Sequence, residues 1–287
     1  MNNPLGIHAL VFAGGTTPDE VDTITAGAQR ARYDIIEFSL HGLDHLDTAS
    51  TKQLLQDRRL TAICSRGLAP DADVSSEDLA VVERGAALLH ESLQATAAIG
   101  GVRLTGALYS AFGKAAAPLS DAGRRNIVSV LRDLAVEARG LDVALGLEVC
   151  NRYETNVVNT AADALRLADE IGEANVDVHL DIYHMNIEEK NFRDPVRLLG
   201  DRLGYVHVGE NDRGYLGSGH LDFASFFDAL GEAGYTGGIT FESFSSAVVS
   251  PTLSNDLSIW RNLWTDSDDL ASHAHDFLVE HLARATA

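Results

Sequence analysis

The sequence has little cysteine, little proline and no long apolar run. Its two cysteines, Cys64 and Cys150, each lie within an apolar stretch, which is typical of reduced, buried thiols and gives no support to a disulfide framework. Six prolines and 25 glycines in 287 residues are too few for a Pro/Gly-rich linker protein. No apolar run approaches the roughly 20 residues that cross a bilayer. Residues 1–4 lack the basic start of a signal peptide, so we expect a cytoplasmic protein.

Positive charge is also scarce in this chain. The 22 Lys and Arg residues are outnumbered by 42 Asp and Glu residues, which gives a net charge of −20 at pH 7. Proteins bind phosphate backbones and anionic lipid surfaces mainly through Lys and Arg, so this balance argues against nucleic acid and membranes as partners. It is compatible with a bound cation and with a neutral substrate. A hydrophobic fraction of 45% and a mean hydropathy of −0.03 are typical of a globular enzyme.

Short β-rich runs alternate with longer amphipathic segments along the whole chain. Residues 17–32 open with Thr-Pro-Asp-Glu, which is typical of a helix start. Residues 76–99 carry apolar side chains at the three-to-four spacing of a helix. The same reasoning predicts helices at 120–140, 160–171, 195–203 and 222–233. The predicted strands are residues 7–12, 34–40, 60–68, 102–108, 143–150, 176–184, 205–210 and 238–244.

Eight strand-then-helix units in about 250 residues indicate a (β/α)₈ TIM barrel, which we expect to span residues 1–287 as a single domain. A doubly wound parallel sheet is the alternative. That fold usually carries a G-x-G-x-x-G loop after its first strand, whereas the first strand here runs into Ala-Gly-Gly-Thr at residues 13–16. In a TIM barrel, reactive side chains lie at the carboxyl ends of the strands.

Four ionisable residues interrupt apolar strands near their carboxyl ends. They are Glu148, Asp181, His207 and Glu242, one on each of the last four predicted strands. A buried acid among apolar residues is costly unless it is paired or bound to a metal. Three converging carboxylates repel each other unless a cation lies between them. Three carboxylates with one imidazole suit Mn²⁺ or Mg²⁺, with Co²⁺ also possible, whereas structural zinc favours cysteine ligands.

The motifs around these residues resemble those of a known enzyme family. The motifs are 148–154 (Glu-Val-Cys-Asn-Arg-Tyr-Glu), 180–189 (Leu-Asp-Ile-Tyr-His-Met-Asn-Ile-Glu-Glu), 207–214 (His-Val-Gly-Glu-Asn-Asp-Arg-Gly) and 241–244 (Phe-Glu-Ser-Phe). They resemble the ketose 3-epimerases that act on D-tagatose, D-allulose (D-psicose) or L-ribulose, which are xylose isomerase-like TIM barrels. The resemblance extends, less sharply, over the whole chain.

The resemblance implies one divalent ion per subunit, Mn²⁺ or Mg²⁺ and possibly Co²⁺, and a free ketose as substrate. Expected pairs are D-fructose/D-allulose, D-tagatose/D-sorbose and L-ribulose/L-xylulose. The implied metal ligands are Glu148, Asp181, His207 and Glu242. The implied sugar contacts are Glu154, His184 and Arg213. Glu148 and Glu242 would also serve as the acid/base pair, because inversion at C3 through a cis-enediolate needs one base on each face of the sugar.

Three other functions fit parts of the pattern. An aldose–ketose isomerase would use similar groups to move hydrogen between C1 and C2. A phosphodiesterase of the endonuclease IV type shares the barrel and an Asp-x-x-His step such as Asp181 to His184, but it needs further histidines and a basic face. A non-catalytic sugar-binding barrel would not require paired, metal-bound glutamates.

Several features leave more than one interpretation open. His8 and Phe12 could face the sugar or belong to the core, Glu37 could be structural, and the loop at 109–119 could cover the pocket. The identity of the ketose and the native metal are not fixed by the residues. Residues 248–264 hold more apolar side chains than a short helix can bury, so we expect a homodimer or homotetramer. Those side chains are Leu253, Leu257, Ile259, Trp260, Leu263 and Trp264.

Overall fold

Eight parallel strands form a closed barrel in sequence order in the computed structural model, which describes residues 1–285. Each strand pairs with the next, and the first pairs with the last through Leu5 and Ile239. The strands are β1 (Leu5–His8), β2 (Ile35–Ser39), β3 (Thr61–Ser65), β4 (Arg103–Thr105), β5 (Ala144–Glu148), β6 (Val176–Asp181), β7 (Leu203–Val208) and β8 (Ile239–Phe241). The predicted (β/α)₈ barrel is confirmed.

Helices within the described residues cover the outside of the barrel and fill the connections. They are α1 (Pro18–Arg30), α2 (Thr48–Arg58), α3 (Leu79–Ala98), α4 (Asp121–Gly140), α5 (Ala161–Ile171), α6 (Ile182–Glu188), α7 (Arg193–Leu199), α8 (Phe223–Glu232), α9 (Pro251–Asp256) and α10 (Ser267–Arg284). Among the described residues, none of the helices combines the length and apolar character that a bilayer crossing requires.

Helix starts follow the local chemistry of the sequence. Thr17 caps α1 and exchanges hydrogen bonds with Glu20, so two otherwise unpaired groups at this helix end are satisfied. Asp222 caps α8 by accepting a hydrogen bond from the backbone N–H of Ser225. Both starts lie where the sequence predicts them.

All eight strands end earlier than the sequence predicts, and at two of them a side chain turns the chain. After β1 the chain turns at His8, whose Nδ1 accepts a hydrogen bond from the N–H of Leu10 at 3.3 Å. Phe12 therefore lies outside the strand and packs against Gly27 of α1, where a Cβ would lie 2.5 Å from the ring. After β6 the side chain of Asp181 caps α6 through the N–H of Tyr183 at 2.8 Å. Phe12 is thus a core residue.

Inside the barrel, one apolar layer of side chains is followed by polar side chains toward the carboxyl ends of the strands. Ile35, Ile63 and Tyr205 form a small separate cluster of buried side chains. Above it, Glu37 of β2 contacts both Tyr205 and His207 of β7. Because β2 and β7 are not neighbours in the sheet, these contacts cross the interior. The interior therefore becomes ionisable toward the carboxyl ends of the strands, where TIM barrels place their reactive groups.

Candidate active site

The structure brings the four predicted metal ligands together at the carboxyl end of the barrel. Glu148 and Asp181 are the last residues of β5 and β6, His207 lies near the end of β7, and Glu242 follows β8 directly. One ligand atom from each of the four lies within 4.8 Å of the others. All four side chains are buried, the most exposed being Glu242 at 8%. This cluster could hold a metal ion.

The orientation of His207 supports that interpretation. Its Nε2 donates to Oε2 of Glu37 at 2.6 Å, and the hydroxyl of Tyr205 donates to the same oxygen at 2.7 Å. With its proton on Nε2, His207 presents the lone pair of Nδ1, which is buried and has no hydrogen-bond partner within residues 1–285. Nδ1 lies 3.6 Å from Glu148 and 3.5 Å from Glu242. A histidine held by a carboxylate through one nitrogen and free at the other is the usual arrangement of a metal ligand.

The donor set also suits a divalent cation. Three carboxylates with one imidazole nitrogen favour Mg²⁺ or Mn²⁺ over softer ions that select thiolates. Without a cation, three carboxylates within this small volume would repel each other. Burial raises the pKa of Glu148. At Glu242, burial also acts in that direction, but Arg213 and His207 outweigh it and hold the pKa well below its usual range.

Arg213 supplies the positive charge nearest to the cluster. Its Nη2 lies 3.0 Å from Asp181 and 2.9 Å from Glu242, so one nitrogen bridges two of the carboxylates. The guanidinium lies over the ring of Tyr183, 4.0 Å from its centroid. Burial lowers the pKa of Arg213, but Asp181 and Glu242 outweigh that effect and raise it. Arg213 is therefore charged and held within the site.

His184 and Glu154, the other predicted sugar contacts, lie beside the cluster. Nδ1 of His184 accepts hydrogen bonds from the backbone N–H and the side chain of Asn151, at 3.2 and 2.8 Å. The proton of the neutral ring therefore resides on Nε2, which lies 3.9 Å from Glu154 and 4.0 Å from Glu148. Asn151 also donates to Glu154 at 2.9 Å and so orients both side chains. The structure thus brings all seven predicted site residues together.

A second histidine lies near each glutamate of the predicted acid/base pair, in addition to His207, which both share. Glu148 lies beside His184, and Glu242 lies 3.8 Å from Nε2 of His8. His8 is buried and its Nε2 also lies 3.4 Å from the hydroxyl of Ser65 at the end of β3. His8 therefore lies beside the site, next to Glu242 and 3.6 Å from Glu37.

Three further residues of the site are not predicted from the sequence as site residues. They are Asn151, Tyr109 and His179. Tyr109 donates to the backbone oxygen of Glu148 at 2.6 Å, which fixes the end of β5. His179 bonds to Thr105 at 2.9 Å, and its ring centroid lies 4.1 Å from that of His207. Its position two residues before Asp181 places it on the same strand face, a signal that could have identified it.

The sequence and fold match known proteins over nearly the whole chain. The family model for the xylose isomerase-like TIM barrel matches residues 25–280. The L-ribulose 3-epimerase of Methylomonas sp. (strain DH-1) is 49% identical over 275 residues, which are 96% of each chain. The ketose 3-epimerase of Arthrobacter globiformis is 42% identical over 278 residues, 97% of this chain and 96% of that one. The chain belongs to the ketose 3-epimerase family.

A solved structure gives the same result for the fold. The crystal structure of D-allulose 3-epimerase from Methylomonas sp. in complex with D-allulose matches with a TM-score of 0.95 and 48% identity, covering 97% of both chains. As a ketose 3-epimerase, this protein is an isomerase. The family resemblance of its sequence motifs is thereby confirmed.

Proposed function

We propose that this ketose 3-epimerase inverts C3 of a free 2-ketose with Glu148 and Glu242 as the two bases. The observation that carries the proposal is the placement of both glutamates close to one nitrogen of His207, 3.6 and 3.5 Å from its Nδ1. They come from β5 and β8, which are separated by two strands around the barrel. Two carboxylates that approach a substrate from different directions can serve its two faces.

The mechanism has two proton transfers, one away from C3 and one back to it. One glutamate removes the proton from C3, which is acidified by the neighbouring C2 carbonyl, and leaves an enediolate. The other glutamate then returns a proton to C3 from the opposite face. Either residue can act first, so the enzyme works in both directions. The glutamate that returns the proton must carry one when the cycle starts, so Glu148 and Glu242 exchange protonation states over one turnover.

We assign one divalent cation, Mn²⁺, Mg²⁺ or Co²⁺, to the cluster of Glu148, Asp181, His207 and Glu242. When bound, it supplies positive charge that stabilises the negative charge developing on O2 and O3 of the substrate. The unpartnered Nδ1 of His207 supports this assignment.

The remaining polar groups orient the sugar in this proposal. His184 donates through Nε2, because Asn151 occupies its Nδ1. Arg213 contributes Nε and Nη1, which are buried and have no hydrogen-bond partner among the described residues. Glu154 accepts from a sugar hydroxyl with the oxygen that Asn151 leaves free. Together these residues hold the sugar oxygens on either side of C3.

Free sugars are the proposed substrates in preference to sugar phosphates. TIM barrels commonly bind phosphate through backbone N–H groups after β7 and β8. Here the N–H of Gly217 donates to Glu210 at 2.9 Å, and the N–H of Ser246 donates to Asn262 at 2.9 Å. Glu210 is fully buried in the loop after β7. Occupied donors beside a carboxylate disfavour a phosphate dianion.

Turnover in D₂O tests the proposal. Protein loaded with Mn²⁺, Mg²⁺ or Co²⁺ is assayed with D-fructose, D-allulose, D-tagatose and L-ribulose, and the products are analysed by NMR. We expect epimerisation with deuterium at C3, loss of activity on chelation and recovery when the metal is restored. Deuterium at C1 would instead assign the aldose–ketose isomerisation, and full activity in verified metal-free protein would reject the metal site.

We also propose a homodimer or homotetramer in the cytoplasm. Trp264 is 4% exposed and so belongs to the protomer, whereas Trp260 is 73% exposed and Leu263 is 37% exposed. These two side chains support an interface, since aromatic residues are enriched where protein surfaces meet. The buried free thiols of Cys64 and Cys150 suit a reducing compartment. Light scattering at micromolar concentration should give a mass of at least two chains, and a monomer mass would contradict the assembly.

A further inference from the structure

A short series of hydrogen bonds joins the segment after β8 to the backbone of Arg213. The indole N–H of Trp264 donates to the hydroxyl of Ser243 at 2.7 Å. That hydroxyl donates in turn to the carbonyl oxygen of Arg213 at 2.5 Å. Since an indole nitrogen can only donate, the hydroxyl must accept from Trp264 and its own proton is directed to Arg213. The direction of the whole series is therefore fixed.

Both intermediate residues are rigidly held. Ser243 is fully buried, and Trp264 is 4% exposed. The backbone oxygen of Trp264 accepts a hydrogen bond from the hydroxyl of Ser245 at 2.9 Å, so the residue is tied at its main chain as well as at its indole. A buried hydroxyl held between two partners has little freedom to point elsewhere.

The backbone of Arg213 needs such support. Its φ angle of 61° lies in the left-handed region, which is unfavourable for residues other than glycine and persists only where the surroundings enforce it. Its N–H donates to the carbonyl oxygen of Glu210 at 3.0 Å. Its carbonyl oxygen is held by Ser243. The two sides of this unusual residue are thus fixed by different loops.

The backbone geometry sets the position of the guanidinium. The side chain passes over Gly209, where a Cβ would lie 2.6 Å from Nη1 of Arg213. At its end, Nη2 bridges Asp181 and Glu242, while Nε and Nη1 have no partner among the described residues. A change in φ at Arg213 would swing this group away from both carboxylates.

We propose that Trp264 and Ser243 are positioning residues that hold Arg213 in the conformation that binds the ketose. The inference rests on the proposed function, because it takes Arg213 as a sugar contact. The segment after the barrel thereby becomes part of the substrate-binding machinery, although Trp264 does not touch the sugar. Neither side chain bonds to the four proposed metal ligands through this series, but Ser243 follows Glu242 directly and Arg213 contacts Asp181 and Glu242, so metal binding must be measured in each variant.

The test uses Trp264→Phe, which keeps an aromatic ring and removes the N–H, and Ser243→Ala. We expect each to raise KM for the ketose about tenfold, as expected for one lost buried hydrogen bond, with a smaller fall in kcat. The metal dissociation constant, measured by calorimetry, should not rise, because a guanidinium that leaves Asp181 and Glu242 takes a positive charge away from two proposed metal ligands. The double variant should resemble Ser243→Ala, because both changes break the same series.

Tyr33→Phe is the matched control. It removes a buried hydrogen bond of the same kind, from the hydroxyl to the carbonyl oxygen of Ala271 at 3.0 Å, remote from Arg213. Its melting temperature should fall while its KM stays at the wild-type value. If the KM of Tyr33→Phe rose as much as that of Trp264→Phe, a general loss of stability would explain both. Unchanged KM in both test variants would also overturn the inference.

A crystal structure of Trp264→Phe separates this inference from the proposed function. We expect φ of Arg213 to leave the left-handed region, or its guanidinium to leave Asp181 and Glu242. If the wild type failed to exchange the C3 proton, the proposed function would fail while this readout would still report on the positioning. If the wild type epimerised ketoses and Arg213 stayed unmoved in the variant, only the positioning inference would fail.

Discussion

Charge inside the barrel is neutralised locally in a partly buried pair at the amino end and left unbalanced at the carboxyl end. At the amino end, Arg103 of β4 and Asp177 of β6 form a two-pronged pair with N–O distances of 2.5 and 2.8 Å. Gly204 makes room for it, since a Cβ there would lie 2.0 Å from Asp177. At the carboxyl end, three carboxylates share His207 and Arg213.

The difference separates a charge pair that stabilises the fold from a charge cluster that is kept for chemistry at a cost in stability. In the Arg103–Asp177 pair, each charge meets one partner in a geometry that satisfies both groups. In the carboxylate cluster, Nδ1 of His207 and two nitrogens of Arg213 have no hydrogen-bond partner in the part of the chain that the structure describes. Unpartnered buried polar atoms are costly and rare, so a cluster of them indicates groups kept for a ligand. The amino end should therefore control folding, and the carboxyl end should control turnover.

Replacement of a glutamate at the carboxyl end should give the largest effect. We expect Glu148→Gln or Glu242→Gln to lower kcat at least about a thousandfold, roughly 4 kcal/mol of barrier, because each removes one of two essential bases. The double variant should lose little more, since the two residues act as a unit. Metal occupancy must be measured in each variant, because loss of the cation would lower kcat in the same way. A single variant that kept its metal and most of its kcat would contradict the two-base mechanism.

The pair at the amino end should behave in the opposite way. Asp177→Asn leaves Arg103 largely buried without its counter-charge, and we expect the free energy of unfolding in urea to fall by about 3 kcal/mol. Its kcat should stay close to that of the wild type. Asp169→Asn is the control, since it breaks the exposed pair with Arg202 and should cost less than about 1 kcal/mol. Equal losses in the two variants would show that the buried pair has no special role.

The sequence predicts the framework of both ends but not the contacts that distinguish them. Alternation of strands and helices is local, so it predicts the barrel, and an ionisable residue in an apolar strand predicts each proposed ligand. The strand boundaries are less accurate where a side chain such as Asp181 caps the next helix. The contact of Glu37 with His207 spans 170 positions and depends on two non-adjacent strands. No local pattern carries such a pairing, and the same holds for Trp264 and Arg213.

Glu37 connects the interior of the barrel to the proposed metal site and should have an intermediate effect. In Glu37→Gln the charge that fixes the Nε2 proton of His207 is lost, so we expect the metal to bind 10- to 100-fold more weakly, about the usual effect of removing such a partner. Calorimetry on metal-free protein measures this directly. Tyr205→Phe is the control, because it removes the other hydrogen bond to the same oxygen and keeps the carboxylate. Equal metal affinity in Glu37→Gln and wild type would show that His207 needs no such support.

The cysteines give the smallest expected effect and test whether the carboxyl end stays closed. Cys150 lies two residues beyond Glu148, and Cys64 lies on β3. Both are fully buried, and burial raises the pKa of Cys64 to about 12 and that of Cys150 well above its ordinary value. Because only the thiolate reacts, neither should be modified appreciably by a disulfide reagent at mildly alkaline pH, whereas both should react after unfolding. Rapid reaction of Cys150 alone would mean that the carboxyl end of the barrel opens to solvent. Water would then be the hydrogen-bond partner of the buried nitrogens of His207 and Arg213. Slow reaction of both cysteines would exclude water from the site and leave the substrate and the cation as the partners of these nitrogens.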